Sequence, residues 1–493
     1  MPLDMAPEGL RPEDPVSTRV QRASVPLYAS RIKVYPKAVA GFFRRIKWAV
    51  LVLCLAIYYV APWLRWNRGA GAPDQAILID LAGARAYFFG IEIWPQEIYY
   101  LTGLLILAAI GLFLATSLLG RVWCGYACPQ TVWTDLFLWV ERMIEGDRNA
   151  RMKLDQQGFS AMKAAKKTAK HAAWLLIALL TGGAWVFYFA DAPTALRAVL
   201  TGAASVEMYF FIGLFTATTY TLAGWAREQV CTYMCPWPRF QAAMLDENSL
   251  IVTYQNWRGD PRGKHKAGQS WEGRGDCVDC RQCIAVCPTG IDIRDGQQLE
   301  CIGCGLCIDA CDSIMDKVGR PRGLITFDTL ANQEARAAGK PPVYRLLRPR
   351  VMIYASLLVV VGLVMLGAFL TRHTLELNVQ RDRAPLFVTL SDGSIRNGYT
   401  IKILNKTRTE RRYELLLAGL PGAILSVVGQ AGAEESGAVD LSAKPDSVAT
   451  YRVYVAAPQG ALSDDSMPIV FTVREQATGE RATYSSVFLG PAR

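Results

Sequence analysis

Residues 277–311 read CVDCRQCIAVCPTGIDIRDGQQLECIGCGLCIDAC. Cys277, Cys280, Cys283 and Cys287 form a C-x2-C-x2-C-x3-C run closed by Pro288, and Cys301, Cys304, Cys307 and Cys311 repeat it. In this double register the fourth Cys of each run ligates the other cluster. One 4Fe-4S cluster is therefore expected on Cys277, Cys280, Cys283 and Cys311, and a second on Cys287, Cys301, Cys304 and Cys307. The two-residue gaps wrap the backbone around one cubane, so three thiolates converge and backbone N–H groups aim at sulfur. Gly275, Gly303 and Gly305 let the chain pass close to a cluster. Zinc does not need the double register, and disulfides suit an oxidising compartment rather than the cytoplasm assigned below. Asp312 stands where the first run has Pro288. It removes no ligand and is expected to loosen the local turn or alter a potential.

Outward from this module the chain is apolar. Of 493 residues 52% are hydrophobic and 19% charged, which excludes a wholly disordered chain. Five windows, 48–64, 98–120, 172–190, 208–226 and 351–370, carry no charge and are long enough to cross a bilayer core. A sixth stretch, 122–140, carries only Asp135 and is read as an interfacial segment. Lys and Arg alternate along the chain: 9 in the first 47 residues, 3 in 65–97, 9 in 121–171, 1 in 191–207 and 17 in 227–350. Positive charge stays on the cytoplasmic side. The N-terminus and the cysteine-rich module are thus expected in the cytoplasm, and residues 371–493 across the membrane. Most of the +10 net charge lies on the cytoplasmic side, so nucleic-acid binding is a poor explanation for it. The face made by Lys163, Lys166, Lys167 and Lys170 is read as lying on anionic head groups.

Two further motifs sit at the cytoplasmic edge of spans. Cys124-x3-Cys128-Pro129 follows the second and Cys231-x3-Cys235-Pro236 the fourth, each trailed by an aromatic, Trp133 or Trp237. The repeat suggests an internal duplication. On a helix, i and i+4 place both sulfurs on one face, spaced better for a soft metal than for a disulfide. Thiolates select Cu(I), zinc or Fe–S, and Met234 would add a thioether. One shared site, two sites and a third cluster all remain open. Cys54 is read as core packing. His171, His265 and His373 are read as structural, and Glu92, Glu97 and Glu207 as interfacial.

Residues 374–493 change character. Short apolar or β-branched runs at 385–390, 398–405, 411–417, 423–428, 448–455, 468–474 and 480–488 alternate with turn signals, the pattern of an immunoglobulin-like sandwich. The expected fold is a mixed multi-domain membrane protein. It comprises a flexible tail (1–43), a membrane domain with four helices and both CxxxCP motifs (44–250), and a bacterial-type dicluster ferredoxin domain (251–345). A fifth transmembrane helix (346–372) and an all-β immunoglobulin-like domain (373–493) follow.

The order of CGYACPQTVW, CTYMCPWPRFQ, the double cysteine run, a last span and RDRAPLFVTLSDGSIRNGYTIKILNKT closely resembles the cytochrome c oxidase accessory proteins CcoG, also called FixG or RdxA. The likeness covers the chain from about residue 28, though single motifs are shared with membrane ferredoxins of the NapH and NosR type. It implies an enzyme of the bacterial inner membrane that reduces Cu(II) to Cu(I) for assembly of cbb3-type oxidase. It implies the eight cluster cysteines as cofactor ligands, and Cys124, Cys128, Cys231 and Cys235 as the copper-handling, catalytic residues. Its implied partners are copper ions, copper chaperones, oxidase subunits, membrane lipid and a cytoplasmic or quinol electron donor; a homodimer is left open. Two other readings stand beside it: a NapH-like quinol-to-cluster conduit, and a non-enzymatic assembly scaffold. For the conduit, Thr216, Thr218, Thr219 and Tyr220 are the only dense polar group within the spans.

Overall fold

The computed structural model describes residues 33–69, 72–266, 268–372, 375–429 and 438–491. Residues 1–32 of the expected tail, and His373, lie outside them. Eight helices lead the chain: α1 (Phe42–Val60), α2 (Tyr99–Leu119), α3 (Val122–Tyr126), α4 (Pro129–Glu145), α5 (Arg148–Gln156), α6 (Ala161–Val186), α7 (Ala192–Thr201) and α8 (Val206–Thr219). Among the described residues four helical stretches are long and apolar enough to cross a membrane: Phe42–Trp63, Pro95–Leu119, Ala161–Val186 and Pro349–Leu370. Val206–Ala226 joins them as a fifth only when paired with α7. The 122–140 stretch is not among them. It breaks at Ala127–Cys128, because a residue before proline is driven out of the helical region.

By internal contacts the chain divides into two units. The first takes residues up to Ile57, Ala115–Gly183 and Val206–Leu346; the second takes Tyr58–Leu114, Ala184–Ser205 and Leu347–Arg493. In the first unit the end of α2 is closed by the chain ahead of the cysteine module. Gly120 turns left-handed at φ +64°. The Ser249 hydroxyl donates to the Ser117 carbonyl at 2.7 Å and the Leu250 N–H to that of Leu118 at 3.1 Å. These bonds satisfy carbonyls that a helix end otherwise leaves bare. The strands Ile251–Tyr254 and Ile325–Asp328 then pair antiparallel and pack with Cys277, Cys283, Ile308 and Met315 into one core.

Residues 33–41, expected within the flexible tail, are extended and pinned. Asp155 accepts from Lys33 Nζ at 2.5 Å and from Tyr35 Oη at 2.7 Å, and the Lys37 N–H donates to the Ala285 carbonyl at 2.8 Å. Two of the four lysines on the α6 face turn inward to carboxylates. Lys167 Nζ lies 2.9 Å from Glu145 and 2.6 Å from Asp155, and Lys170 Nζ lies 2.9 Å from Glu145. Glu141 and Glu145, one turn apart on α4, are both buried and draw those lysines inward.

The second unit carries two antiparallel sheets. In the first, Ile424–Val427, Ser447–Ala457, Ile395–Asn405 and Leu375–Arg381 lie in that order, with Val388–Thr389 against Ile395–Asn405. In the second, Ala438–Ala443, Arg411–Ala418, Ser466–Glu475 and Arg481–Leu489 do so. Alternate residues enter the core, among them Tyr399, Ile401, Ile403, Leu415, Phe471 and Phe488, as a half-buried strand requires. Leu375–Arg381 and Ala438–Ala443 are strands that the sequence reading did not separate. The 65–97 loop also folds into a three-stranded meander. There Glu97 is buried and paired with Arg372 and Lys406 at 2.7 and 2.9 Å, rather than merely interfacial.

Candidate iron–sulfur and thiol site

The two cysteine runs share one backbone design. Asp279 and Arg281 of the first are left-handed at φ +50° and +54°; Gly303 and Gly305 hold the same positions of the second at +68° and +71°. After each second left-handed residue a helix starts, Gln282–Val286 in one run and Leu306–Lys317 in the other. Pro288 ends the first helix. The second runs on through Cys311 and Asp312, whose carboxylate accepts the Gly323 N–H at 2.9 Å. Asp312 therefore loosens no turn; it lies inside a helix that proline would break.

These surroundings fit 4Fe-4S clusters. Burial, then Cys283, Cys280 and Cys277, push the Cys311 thiol up. Burial pushes Cys301 up to about 12, with Cys304 and Cys287 adding to the rise. Cys311 thus stands with the first three cysteines, and Cys287 with Cys301 and Cys304. Backbone N–H groups of Ile284, Gly303 and Leu306 bond Cys283, Cys301 and Cys304. N–H donors aimed at sulfur stabilise the thiolate form and so suit ligation to iron. Among the described residues no three His, Cys, Asp or Glu groups are set to hold a single ion.

The second run lies directly against α3. A Cβ on Gly125 would meet the Ile302 carbonyl oxygen at 2.9 Å and Cys304 Cα at 3.0 Å. The Tyr126 hydroxyl donates to the Cys304 carbonyl at 3.0 Å. Arg121 donates to the carbonyls of Leu299, Cys301 (3.3 Å) and Pro238 (2.7 Å). Cys124 and Cys231 pack on the core of Val286, Ile302, Cys304, Leu306 and Ala310. Both CxxxCP motifs thus abut the loop of the second run.

The four membrane-edge thiols also lie near one another. Burial and then Cys128 push Cys124 up to about 12, with Cys231 and Cys235 adding to the rise and Arg121 opposing it. Burial and then Cys128 and Cys235 push Cys231 up to about 11. The expectation of one helical face per motif is overturned. Cys124 is in α3, but Cys128 caps α4 with φ −60° and ψ 129°. Cys231 lies in the π-wound turn Val230–Met234, and Cys235 follows it with φ −79° and ψ 123°. Cys287 before Pro288 has φ −67° and ψ 125°. All three cysteines precede proline, which explains their shared extended conformation. Met234 is 61% exposed, unlike the half-buried cysteines. The Cys124 thiol donates to Gln241 Oε1 at 3.1 Å.

Several residues around the site escaped the sequence reading. Asp309, from the second-run helix, caps α1, accepting the N–H groups of Phe43 (3.2 Å) and Arg44 (2.8 Å). Arg44 grips Asp135 through two bonds of 3.0 and 2.8 Å. Burial raises the Asp135 carboxyl, but Lys47 and Arg44 outweigh it and hold it below its ordinary value. The buried Lys47 ammonium favours the thiolates of both Cys304 and Cys231. The one sequence signal for this docking was Gly125, set between cysteines where only a hydrogen fits. His171 is bonded to Tyr220 at 2.9 Å, and His265 stacks on Trp271 with centroids 4.0 Å apart.

Two cysteine runs around a buried core, joined to apolar helices, define a membrane iron–sulfur redox protein. Comparison with known proteins bears out the iron–sulfur assignment. A 4Fe-4S dicluster domain model matches residues 226–330, a 4Fe-4S binding domain model matches 101–145, and an IG-like fold at the C-terminal of FixG matches 365–491. The chain is 51% identical to nitrogen fixation protein FixG of Rhizobium meliloti, with 96% of each chain covered. It is 52% identical to protein RdxA of Cereibacter sphaeroides over 89% of this chain and 92% of the relative. It is 50% identical to RdxB of the same organism over 94% and 97%. The chain belongs to the FixG/CcoG family and is an iron–sulfur oxidoreductase.

Proposed function

We propose that this protein is a cupric reductase of the bacterial inner membrane, converting Cu(II) to Cu(I) for assembly of cbb3-type cytochrome c oxidase. The observation that carries this reading is the packing of Cys124 and Cys231 against the Ile302–Cys304 loop. Bound through Cys277, Cys280, Cys283 and Cys311, and through Cys287, Cys301, Cys304 and Cys307, two 4Fe-4S clusters supply one-electron transfer. Copper is the substrate. Cys124, Cys128, Cys231 and Cys235 offer soft thiolates that prefer Cu(I) to Cu(II), so binding itself favours the reduced ion. Lys47 and Arg121 offset the negative charge that gathers when thiolates and an added electron share a buried region. Positive charge on the segments that carry both cysteine runs orients them to the cytoplasm, with the C-terminal domain in the periplasm.

A second reading of the four membrane-edge cysteines is a third cluster. It is favoured by the pre-proline conformation that Cys128 and Cys235 share with Cys287. Iron content separates the two. About eight irons per chain supports copper at these thiols, and about twelve supports a third cluster.

The functional test is anaerobic stopped-flow of the reduced protein with Cu(II), a Cu(I) chelator reporting product. A variant with Cys124, Cys128, Cys231 and Cys235 all changed to Ser runs beside it. Stoichiometric Cu(I) from the native chain, lost in the variant, is the expected result. Equal Cu(I) from both removes these cysteines from the path, and none from either sinks the reductase reading.

A further inference from the structure

The first unit holds a cavity of about 380 Å³ beside the second CxxxCP motif, lined by His171, Trp174, Trp225, Lys170, Arg227 and Glu228 among others. Its volume is that of a small-molecule site, about 300–1,000 Å³. The His171 ring is stacked on Trp225 (centroids 6.1 Å apart, planes at 28°) and stands edge-on to Trp174 at 5.2 Å. Its Nδ1 is bonded to the Tyr220 hydroxyl. Tyr220 opens a π-wound segment, Tyr220–Ala226, a departure that recurs at functional sites. Trp225, near the end of an apolar helix, is 55% exposed, so an aromatic wall meets the surface at a point where a lipid-soluble ligand can enter.

The charges select the ligand further. The cations at the cavity are already matched: Lys33 by Asp155, Lys167 and Lys170 by Glu145, and Arg227 by Glu141 at 3.0 Å. A phosphate-bearing cofactor finds no unmatched cation among these four. A neutral, flat ring laid along the exposed Trp225 suits the site better. The His171–Tyr220 bond adds a proton switch. When Tyr220 donates to Nδ1, Nε2 carries hydrogen and can donate to a carbonyl. When Nδ1 carries the hydrogen, Nε2 is free to accept a phenolic proton. One histidine therefore serves both oxidation states of a ligand that exchanges protons with electrons.

We propose that this cavity binds a membrane hydroquinone, the electron donor of the protein; the proposal rests on the iron–sulfur part of the function given above, not on copper. The hydroquinone breaks two O–H bonds and becomes the quinone. His171 Nε2 takes one proton and the Glu228 carboxylate the other. The two electrons go singly to two one-electron acceptors, the oxidised 4Fe-4S clusters. The path outward is short in the chain. Arg227 and Glu228 also line a small cavity, about 30 Å³, whose other walls include Cys231, Pro288, Thr289 and Ile302. Ile302 lies between two cysteines of the second run.

The test uses the full chain in lipid nanodiscs, anaerobic, with oxidised clusters and no copper, so its outcome is independent of the cupric reductase reading. Decylubiquinol and menadiol are added in turn, and bleaching of the visible absorbance is followed. His171→Phe keeps a stacking ring but cannot exchange a proton, and Trp225→Leu removes a wall at an exposed position. Dithionite bleaching checks that each variant is loaded. Native protein should bleach with at least one quinol. His171→Phe should slow this by about 100-fold or more, the scale of a lost acid–base group, with full dithionite bleaching. Trp225→Leu should weaken decylubiquinone binding about tenfold, read by quenching of tryptophan fluorescence. No bleaching of native protein by either quinol, or equal rates in His171→Phe, overturns the proposal.

Discussion

The two cysteine runs have the same spacing and the same left-handed positions, yet the turn around the second cysteine of each meets different surroundings. In the first, Cys280 is exposed, and the left-handed positions are filled by Asp279 and Arg281. In the second, Cys304 is buried and both left-handed positions are glycine. A Cβ on Gly305 would meet the Phe43 ring at 2.8 Å, and one on Gly303 would meet Arg121 at 3.3 Å. The backbone turn alone does not demand glycine, since the first run makes it without. Close packing demands it. The pair shows how one motif can leave one turn open at Cys280 and seal the matching turn at Cys304 against the chain that carries the membrane-edge thiols.

This contrast can be broken most severely at Gly125. Gly125→Ala pushes a methyl group into backbone atoms of the second run, which cannot shift without moving Cys304. Iron is expected to fall from about eight to about four per chain, with the first cluster kept, as counted by iron assay and electron paramagnetic resonance. Full iron content would show the docking to be looser than the geometry implies. Asp312→Pro should come next. Copying the first run's proline into a helix interior costs about 3 kcal/mol or more, seen as a lower denaturant midpoint for cluster loss; an unchanged midpoint would mean that the helix does not persist past Cys311.

A gentler probe exchanges the left-handed residues. Gly305→Ala should destabilise by about 1–2 kcal/mol from backbone conformation alone, more with the Phe43 contact. Arg281→Gly in the open run should stay within about 1 kcal/mol, because relief of strain is offset by chain entropy. Equal effects at the two positions would refute the packing explanation. The smallest effect should be on potential. Arg121→Met removes a buried positive charge beside Cys301 and Cys124, so reduction nearby becomes harder. A redox titration should show one cluster shifted down by about 60 mV, equivalent to roughly 1.4 kcal/mol, and the other unmoved.

Much of this was legible in the residues. The double register marks the cluster ligands because a cubane is small and its ligands must come from neighbouring turns. The apolar windows mark the long helices because a bilayer core needs about 20 residues. The lysine face of α6 misled because i, i+4 spacing shows which residues share a face, not what covers it. Glu141 and Glu145, which belong to another helix, draw Lys167 and Lys170 inward. The CxxxCP motifs misled through helical spacing, although the prolines in the same motifs already contained the correction. The bond of His171 to Tyr220 was not legible because the two are 49 residues apart.

By itself the sequence determined which cysteines could bind clusters, which stretches could enter a membrane and where β-structure begins, since each depends on spacing over a few turns. Only tertiary structure decided where those pieces meet: Gly125 against Cys304, Asp309 over the start of α1, Arg44 on Asp135, His171 beside Tyr220. Such contacts join residues tens to hundreds of positions apart. They are selected by close packing and by the cost of leaving a buried charge or donor unpaired, and neither leaves a periodic trace in the chain.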